Sequence, residues 1–205
     1  MTQERMRLAG RRLLDPLVGL LARAGVDPSA ITLAGLAVTA FAAFLAWKGH
    51  YLASAAVLGG GSLLDAVDGG VARMRNMVSR AGAVLDSSCD RVGEFLMYTA
   101  LLAGAARAER PEVLYLAPAA LAGSFMVSYT RARSEGVGIP CKVGLFTRTE
   151  RLVLLVLALA AAPAAGNARP LVWMLALVAV GTWLTAVQRL AKVFSEDRPS
   201  LGDRA

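Results

Sequence analysis

Four aspartates crowd one stretch of an otherwise apolar chain: Asp65 and Asp68, three residues apart, and Asp86 and Asp90, four apart. Those spacings put each pair on one face of a helix. Extending the rows, Asp65, Asp68 and Ala72 share a face of the first helix, and Gly82, Asp86 and Asp90 share a face of the second. Gly69 and Arg73 form a neighbouring row. Carboxylates converging at low dielectric repel one another severely. Protonation, pairing with arginine or a divalent cation would each relieve them. All-oxygen carboxylate donors are hard and favour Mg²⁺, Mn²⁺ or Ca²⁺ over zinc, and four of them are enough to hold two ions. Side chains as small as those at 69, 72 and 82 let a ligand approach the helix backbone. Arg73 adds a planar fork suited to phosphate. Together these residues describe a site for a phosphorylated ligand, with phosphoryl transfer as its natural chemistry.

Each part also has an ordinary reading. Gly69, Gly70, Ala72, Gly82 and Ala83 could simply let two membrane helices pack closely, and Arg73 and Arg91 could snorkel to an interface. Aspartate inside a membrane is different: it is costly enough to be a functional hypothesis by default.

The membrane enters through the rest of the chain. It has 205 residues, 56% hydrophobic and only 18% charged. The apolar residues come in blocks: 31–47, 51–64, 81–106, 113–129, 152–165 and 171–187. With flanking residues most approach the roughly 20 that an α-helix needs to cross a bilayer. The expectation is an all-α polytopic membrane protein of six transmembrane helices, with no room for a separate soluble domain. The first 28 residues do not read as a signal peptide, because both charge signs occur and Pro16 interrupts them. Leu13, Leu14, Leu17, Leu20 and Leu21 recur at helical spacing among Arg11, Arg12 and Arg23, which predicts an amphipathic helix lying on the membrane surface. The whole chain therefore reads as one domain, with residues 1–28 juxtamembrane, 29–192 a six-helix bundle and 193–205 a cytoplasmic tail.

Threading six spans from a cytoplasmic N-terminus leaves only Lys48, Arg107, Arg110 and Arg169 outside, of 22 basic residues in all. That bias predicts both termini in the cytoplasm of a multi-pass plasma-membrane protein. The net charge of +7 then belongs to loops facing anionic lipid, and nucleic acid is not an expected partner. Two spans meeting at the short turn around 74–80 bring all four aspartates to one depth near the cytoplasmic face. Cys89 and Cys141 make no spaced metal motif and read as reduced thiols, and His50 reads as a loop residue.

The run Asp65-x2-Asp68-Gly69-x2-Ala72-Arg73-x8-Gly82-x3-Asp86-x3-Asp90 resembles, at all eight fixed positions over 26 residues, the signature of the CDP-alcohol phosphatidyltransferases. The six spans and the surface helix also fit that family. The resemblance implies a CDP-linked lipid donor, usually CDP-diacylglycerol, with its pyrophosphate on two metal ions, Mg²⁺ with Mn²⁺ as the alternative. An acceptor hydroxyl would attack the β-phosphorus and CMP would leave. By matching positions, Asp65, Asp68, Asp86 and Asp90 would be metal ligands, and Asp90 also the catalytic base. Gly69, Ala72 and Gly82 would make room for the cytidine, and Arg73 would contact the pyrophosphate. Pro28-Ser29-Ala30-Ile31-Thr32 resembles the family's Pro-Asn-x-x-Thr segment, which implies a nucleotide contact from Thr32; Ser29 departs from the usual Asn.

The acceptor must be read elsewhere. Arg131 and Arg133 end one apolar block, Arg148 and Arg151 begin the next, and Arg189 closes the last. The positive-inside bias alone accounts for Arg148. The others suggest a second anion site, hence a phosphorylated acceptor. The stretch from Ser128 to Leu155 also resembles that of bacterial phosphatidylinositol phosphate synthases, which implies 1D-myo-inositol 3-phosphate held by Arg131, Arg133, Arg151 and Arg189. Glycerol 3-phosphate, as in phosphatidylglycerophosphate synthases, is the alternative phosphorylated polyol. A divalent-cation transporter is an alternative from another class, but the outer halves of the two aspartate helices offer no ionisable side chain beyond Tyr51 and Tyr98. The family's habit implies a homodimer.

Overall fold

The computed structural model describes residues 15–107 and 110–196, and every regular element among them is an α-helix. Helix α1 covers the described residues 15–23, followed by α2 (Pro28–Trp47), α3 (Tyr51–Met74), α4 (Arg80–Arg107), α5 (Pro111–Gly136), α6 (Arg148–Ala164) and α7 (Arg169–Glu196). Each apolar block of the sequence falls in one of the six long helices, with only Ala165, the C-cap of α6, left beyond its helix, and the helices overrun several blocks. Helix α3 continues through Asp65 and Asp68 to Met74, and α7 continues to Glu196. Helix α2 begins at Pro28, and residues 193–196 of the expected tail are helical. Arg5, Arg7, Arg11, Arg12, Leu13, Leu14, Arg198 and Arg204 lie outside the described residues.

Three of the helices, α2, α5 and α7, are long and apolar enough to cross a membrane. The other three fall short for readable reasons. Helix α6 has 17 residues, about 25 Å at 1.5 Å per residue against a hydrocarbon core of about 30 Å. Helices α3 and α4 carry the aspartates, and α4 adds Arg91 and Glu94. Helix α7 shows the membrane character most directly. Its Leu171, Met174, Leu175 and Val178 are buried, yet Trp173, Leu177, Val180, Leu184 and Val187 on other faces are exposed. A helix apolar all round belongs in a large core or in lipid.

The chain forms two compact units, Met1–Ala100 and Leu101–Ala205. In the first, α2 packs along α3. Val18, Ile31, Val67 and Val71 make a buried cluster, with Leu21, Ala22, Val26 and Leu64 packed around it. Leu21 of α1 thus turns inward, while Leu17 and Leu20 remain exposed. Asp27 caps α2, its Oδ1 accepting from the Ser29 N–H at 2.7 Å, with Pro28 opening the helix. The Arg75 guanidinium donates to the Val26 carbonyl at 2.7 Å and so ties the α1–α2 link to the end of α3. In the second unit, α7 packs against both α5 and α6.

Candidate active site

The aspartate site is built by the α3–α4 hairpin. Helix α3 stops because Asn76 takes a left-handed conformation (φ 55°), while the Met77 N–H returns to the Ala72 carbonyl at 2.8 Å. Ser79 opens α4, its Oγ accepting from the Gly82 N–H at 2.9 Å. The connection is therefore only Arg75–Ser79, short enough to hold the two helices side by side near the turn.

This geometry gathers Asp65, Asp86 and Asp90. One carboxylate oxygen from each lies within 4.8 Å of the others, and all three side chains are half-buried. A divalent ion bonded at about 2.0–2.6 Å to each oxygen spans about 4–5 Å between its ligands, so the three fit one hard cation without rearranging the helices. Asp68 behaves differently. It is buried, and its Oδ2 accepts from the Thr32 hydroxyl of α2 at 2.6 Å, while its Oδ1 takes the neighbouring Gly69 N–H. Thr32 and Asp68, which the sequence assigns to different tasks, are thus direct partners.

Helix α2 turns out to line this site more fully than its sequence suggested. Thr32, Gly35 and Thr39 follow one another on one face at helical spacing. Thr32 bonds Asp68, and a methyl group at Gly35 would sit 3.5 Å from the Asp65 Oδ1. Thr39 faces Gly93 of α4, where an added methyl would come within 3.1 Å of its Cγ2. Gly35 was not singled out from sequence, although its place three residues after Thr32 is a signal that could have found it. Of the remaining predicted residues, Gly69, Ala72 and Gly82 are half-buried and Arg73 is exposed at the end of α3. The Arg73 guanidinium would touch a methyl group at Gly69, 3.4 Å away, so the two share one side of the helix. Cys89, between Asp86 and Asp90, is a free thiol, as is the buried Cys141.

The four arginines expected to hold the acceptor's phosphate lie in the second unit and divide into two kinds. Arg131 and Arg133, near the end of α5, are exposed, and Arg131 pairs with Glu135 at 2.9 Å. Arg151 and Arg189 are only 2% and 3% exposed and reach main-chain carbonyls instead. Arg189 donates from Nε to Val143 at 2.9 Å and from Nη1 to Val127, and Arg151 donates from Nη1 to Phe146 at 2.9 Å. Sequence spacing alone treated the four as equivalent.

The comparisons with known proteins agree with this chemistry. The family model for CDP-alcohol phosphatidyltransferase matches residues 26–189. The phosphatidylinositol phosphate synthase of Mycobacteroides abscessus is 31% identical over 184 residues, covering 89% of this chain and 84% of that protein. The crystal structure of Mycobacterium tuberculosis phosphatidylinositol phosphate synthase with CDP-DAG bound aligns with a TM-score of 0.83 at 31% identity, over 93% of this chain and 100% of that one. A second structure of that enzyme, in complex with manganese and citrate, aligns with a TM-score of 0.82 over 90% and 92% of the two chains, also at 31% identity. The matched region runs from just before Thr32 to Arg189 and takes in every described residue of the aspartate and arginine sets, so this chain belongs to the CDP-alcohol phosphatidyltransferase family and is an enzyme of that kind.

Proposed function

We propose that this enzyme transfers a phosphatidyl group from CDP-diacylglycerol to a hydroxyl of 1D-myo-inositol 3-phosphate, releasing CMP and forming phosphatidylinositol phosphate. The observation that carries the reading is the set of carboxylate oxygens from Asp65, Asp86 and Asp90 within 4.8 Å of one another, beside a small-residue surface and an exposed Arg73. The donor follows from the family together with the CDP-DAG bound in the related structure, and the acceptor from the relatives' name.

On this reading Asp65, Asp68, Asp86 and Asp90 hold two divalent ions, Mg²⁺ or Mn²⁺. Bound there, such ions neutralise the donor's pyrophosphate and stabilise the charge that develops as CMP leaves. The chain's own residues do the rest. Thr32 orients Asp68 and contacts the nucleotide, and Gly69, Ala72 and Gly82 leave space for the cytidine. Arg73 binds the pyrophosphate as a bidentate fork. Asp90 accepts the proton of the acceptor hydroxyl as that oxygen attacks the β-phosphorus. Arg131, Arg133, Arg151 and Arg189 bind the acceptor's phosphate. The donor's acyl chains require a lipid phase, which the apolar exposed faces of α2, α5 and α7 favour. We place the enzyme in the plasma membrane as one domain of six spans, with a surface helix before them and its site at the cytoplasmic face. On this reading it works as a homodimer.

The acceptor assignment is tested by replacing Arg131, Arg133, Arg151 and Arg189 singly with glutamine and measuring KM for inositol 3-phosphate and glycerol 3-phosphate. Each substitution should raise the inositol phosphate KM about tenfold or more, the scale of a lost charge-assisted hydrogen bond, with little change for CDP-diacylglycerol. A wild-type preference for glycerol 3-phosphate would overturn the inositol assignment in favour of the phosphatidylglycerophosphate reaction.

A further inference from the structure

The residues that fix the buried arginines are themselves fixed, and the chain of support leads to two uncharged positions on α7, one and two turns before Arg189. The link between α5 and α6, residues 137–147, has no regular structure of its own. It is strapped to α7 along Gly181, Thr185 and Arg189, which recur every four residues and share a face. The Thr185 Oγ1 accepts from the Phe146 N–H at 3.2 Å. The Phe146 ring lies against Gly181, where any side chain would strike it. Gly144, at φ 114°, lets the link turn over the Thr185 methyl, where a side chain at 144 would collide. Thr185 itself is 1% exposed.

Phe146 is therefore held through its N–H and through its ring. Its carbonyl in turn receives the Arg151 guanidinium at 2.9 Å. Three residues earlier on the link, the Val143 carbonyl receives Nε of Arg189, while the Val127 carbonyl of α5 receives its Nη1. Two anchored carbonyls on one link thus orient guanidinium groups from α6 and α7. A buried arginine has rotamer freedom to lose and a rigid planar fork to aim. Fixing it on main-chain carbonyls before the ligand arrives lowers the cost of binding an anion with its remaining donors.

We propose that Thr185 and Gly181 are positioning residues of the acceptor-phosphate site, acting through Phe146 to aim Arg151. The proposal rests on the reading that Arg151 and Arg189 bind the acceptor's phosphate. Neither Thr185 nor Gly181 touches substrate; their effect passes through the link.

The test is steady-state kinetics of the full-length enzyme in lipid nanodiscs, with inositol 3-phosphate and CDP-diacylglycerol varied in turn. Thr185→Val keeps the shape and removes the acceptor for the Phe146 N–H, and Thr185→Ser restores it. Arg151→Gln and Arg189→Gln run alongside. Thr185→Val should raise KM for inositol 3-phosphate about fivefold to tenfold, the equivalent of one lost hydrogen bond of about 1 kcal/mol. KM for CDP-diacylglycerol and kcat at saturating acceptor should stay within about twofold of wild type, and Thr185→Ser should recover the wild-type acceptor KM. Gly181→Ala should shift the same parameter in the same direction. If the arginine variants raise the acceptor KM and Thr185→Val does not, the positioning role fails and the acceptor site stands. If neither arginine variant moves the acceptor KM, the acceptor-site reading fails and takes this inference with it. A fall in kcat with both KM values raised would mark a general structural role and would also overturn it.

Discussion

Asp90→Asn is expected to lower kcat by about 10²–10⁴-fold, the range a positioned general base contributes, while leaving KM for the CDP-lipid nearly unchanged. Asparagine has the same shape and still offers one oxygen, so the two helices keep their packing. It cannot take the acceptor's proton at neutral pH. Asp90 lies one helical turn from Asp86, with both carboxylates brought to Asp65 of α3. The loss should therefore exceed that of a neighbouring polar substitution such as Ser87→Ala, whose hydroxyl only returns to the Val84 carbonyl at 3.0 Å on an exposed face. Comparing kcat and KM for the two variants checks this. An Asp90→Asn enzyme with wild-type kcat would remove the base from the mechanism.

Removing the divalent cation is expected to stop the reaction altogether, and weakening its ligands should appear as a changed metal requirement. Asp65, Asp86 and Asp90 meet at distances one hard cation can span. Without a cation three carboxylates this close repel one another. Chelation by EDTA should abolish CMP release, and either Mg²⁺ or Mn²⁺ should restore it. Outer-shell partners of metal ligands typically cost 10–100-fold in affinity when removed. On the proposed assignment Asp86→Ala deletes a ligand outright, and should raise the half-saturating Mg²⁺ concentration by at least about tenfold. Titrating activity against free Mg²⁺ in wild type and variant measures it. Full activity in EDTA would contradict the carboxylate site as a metal site.

Much of this was legible in the sequence because the signals were strong and local. Six apolar blocks became six helices, even across Gly59–Gly61, Pro118 and Pro163, since an apolar run in a membrane must satisfy its backbone hydrogen bonds internally. The i, i+3 and i, i+4 aspartate spacings survived into the structure because α3 runs unbroken through Asp65 and Asp68 and α4 through Asp86 and Asp90. The sequence could not show that Asp68 faces Thr32, because that pairing depends on how α2 lies along α3 and joins residues 36 apart. Its spacing from Thr32 put Gly35 on the same face, but that it lies against Asp65, an added Cβ falling 3.5 Å from the Oδ1, depends on the same packing. The blocks predict six spans, and three of the helices meet the length and hydropathy of a span individually. Short α6 and the charged faces of α3 and α4 do not individually carry the length and hydropathy that α2, α5 and α7 do.

The arginines taught a different lesson. Arg131, Arg133, Arg151 and Arg189 look alike as basic residues at the ends of apolar blocks. The structure separates them by partner. Arg131 pairs with Glu135 at an exposed site, and Arg151 and Arg189 are buried on main-chain carbonyls. Those carbonyls belong mostly to an irregular link whose path no periodicity reveals, and the positions that fix it, Thr185 and Gly181, carry no chemical signature of their own. Acceptor choice is accordingly the part of the function that residue spacing reached least directly.

The most direct test of the account is CMP release from CDP-diacylglycerol by the purified enzyme in nanodiscs, with Mg²⁺ and a panel of inositol 3-phosphate, glycerol 3-phosphate, free inositol and serine. The account predicts acceptor-dependent CMP release with inositol 3-phosphate preferred, and none without metal. Proteoliposomes that pass divalent cations without releasing CMP, or release that favours an unphosphorylated acceptor, would contradict it.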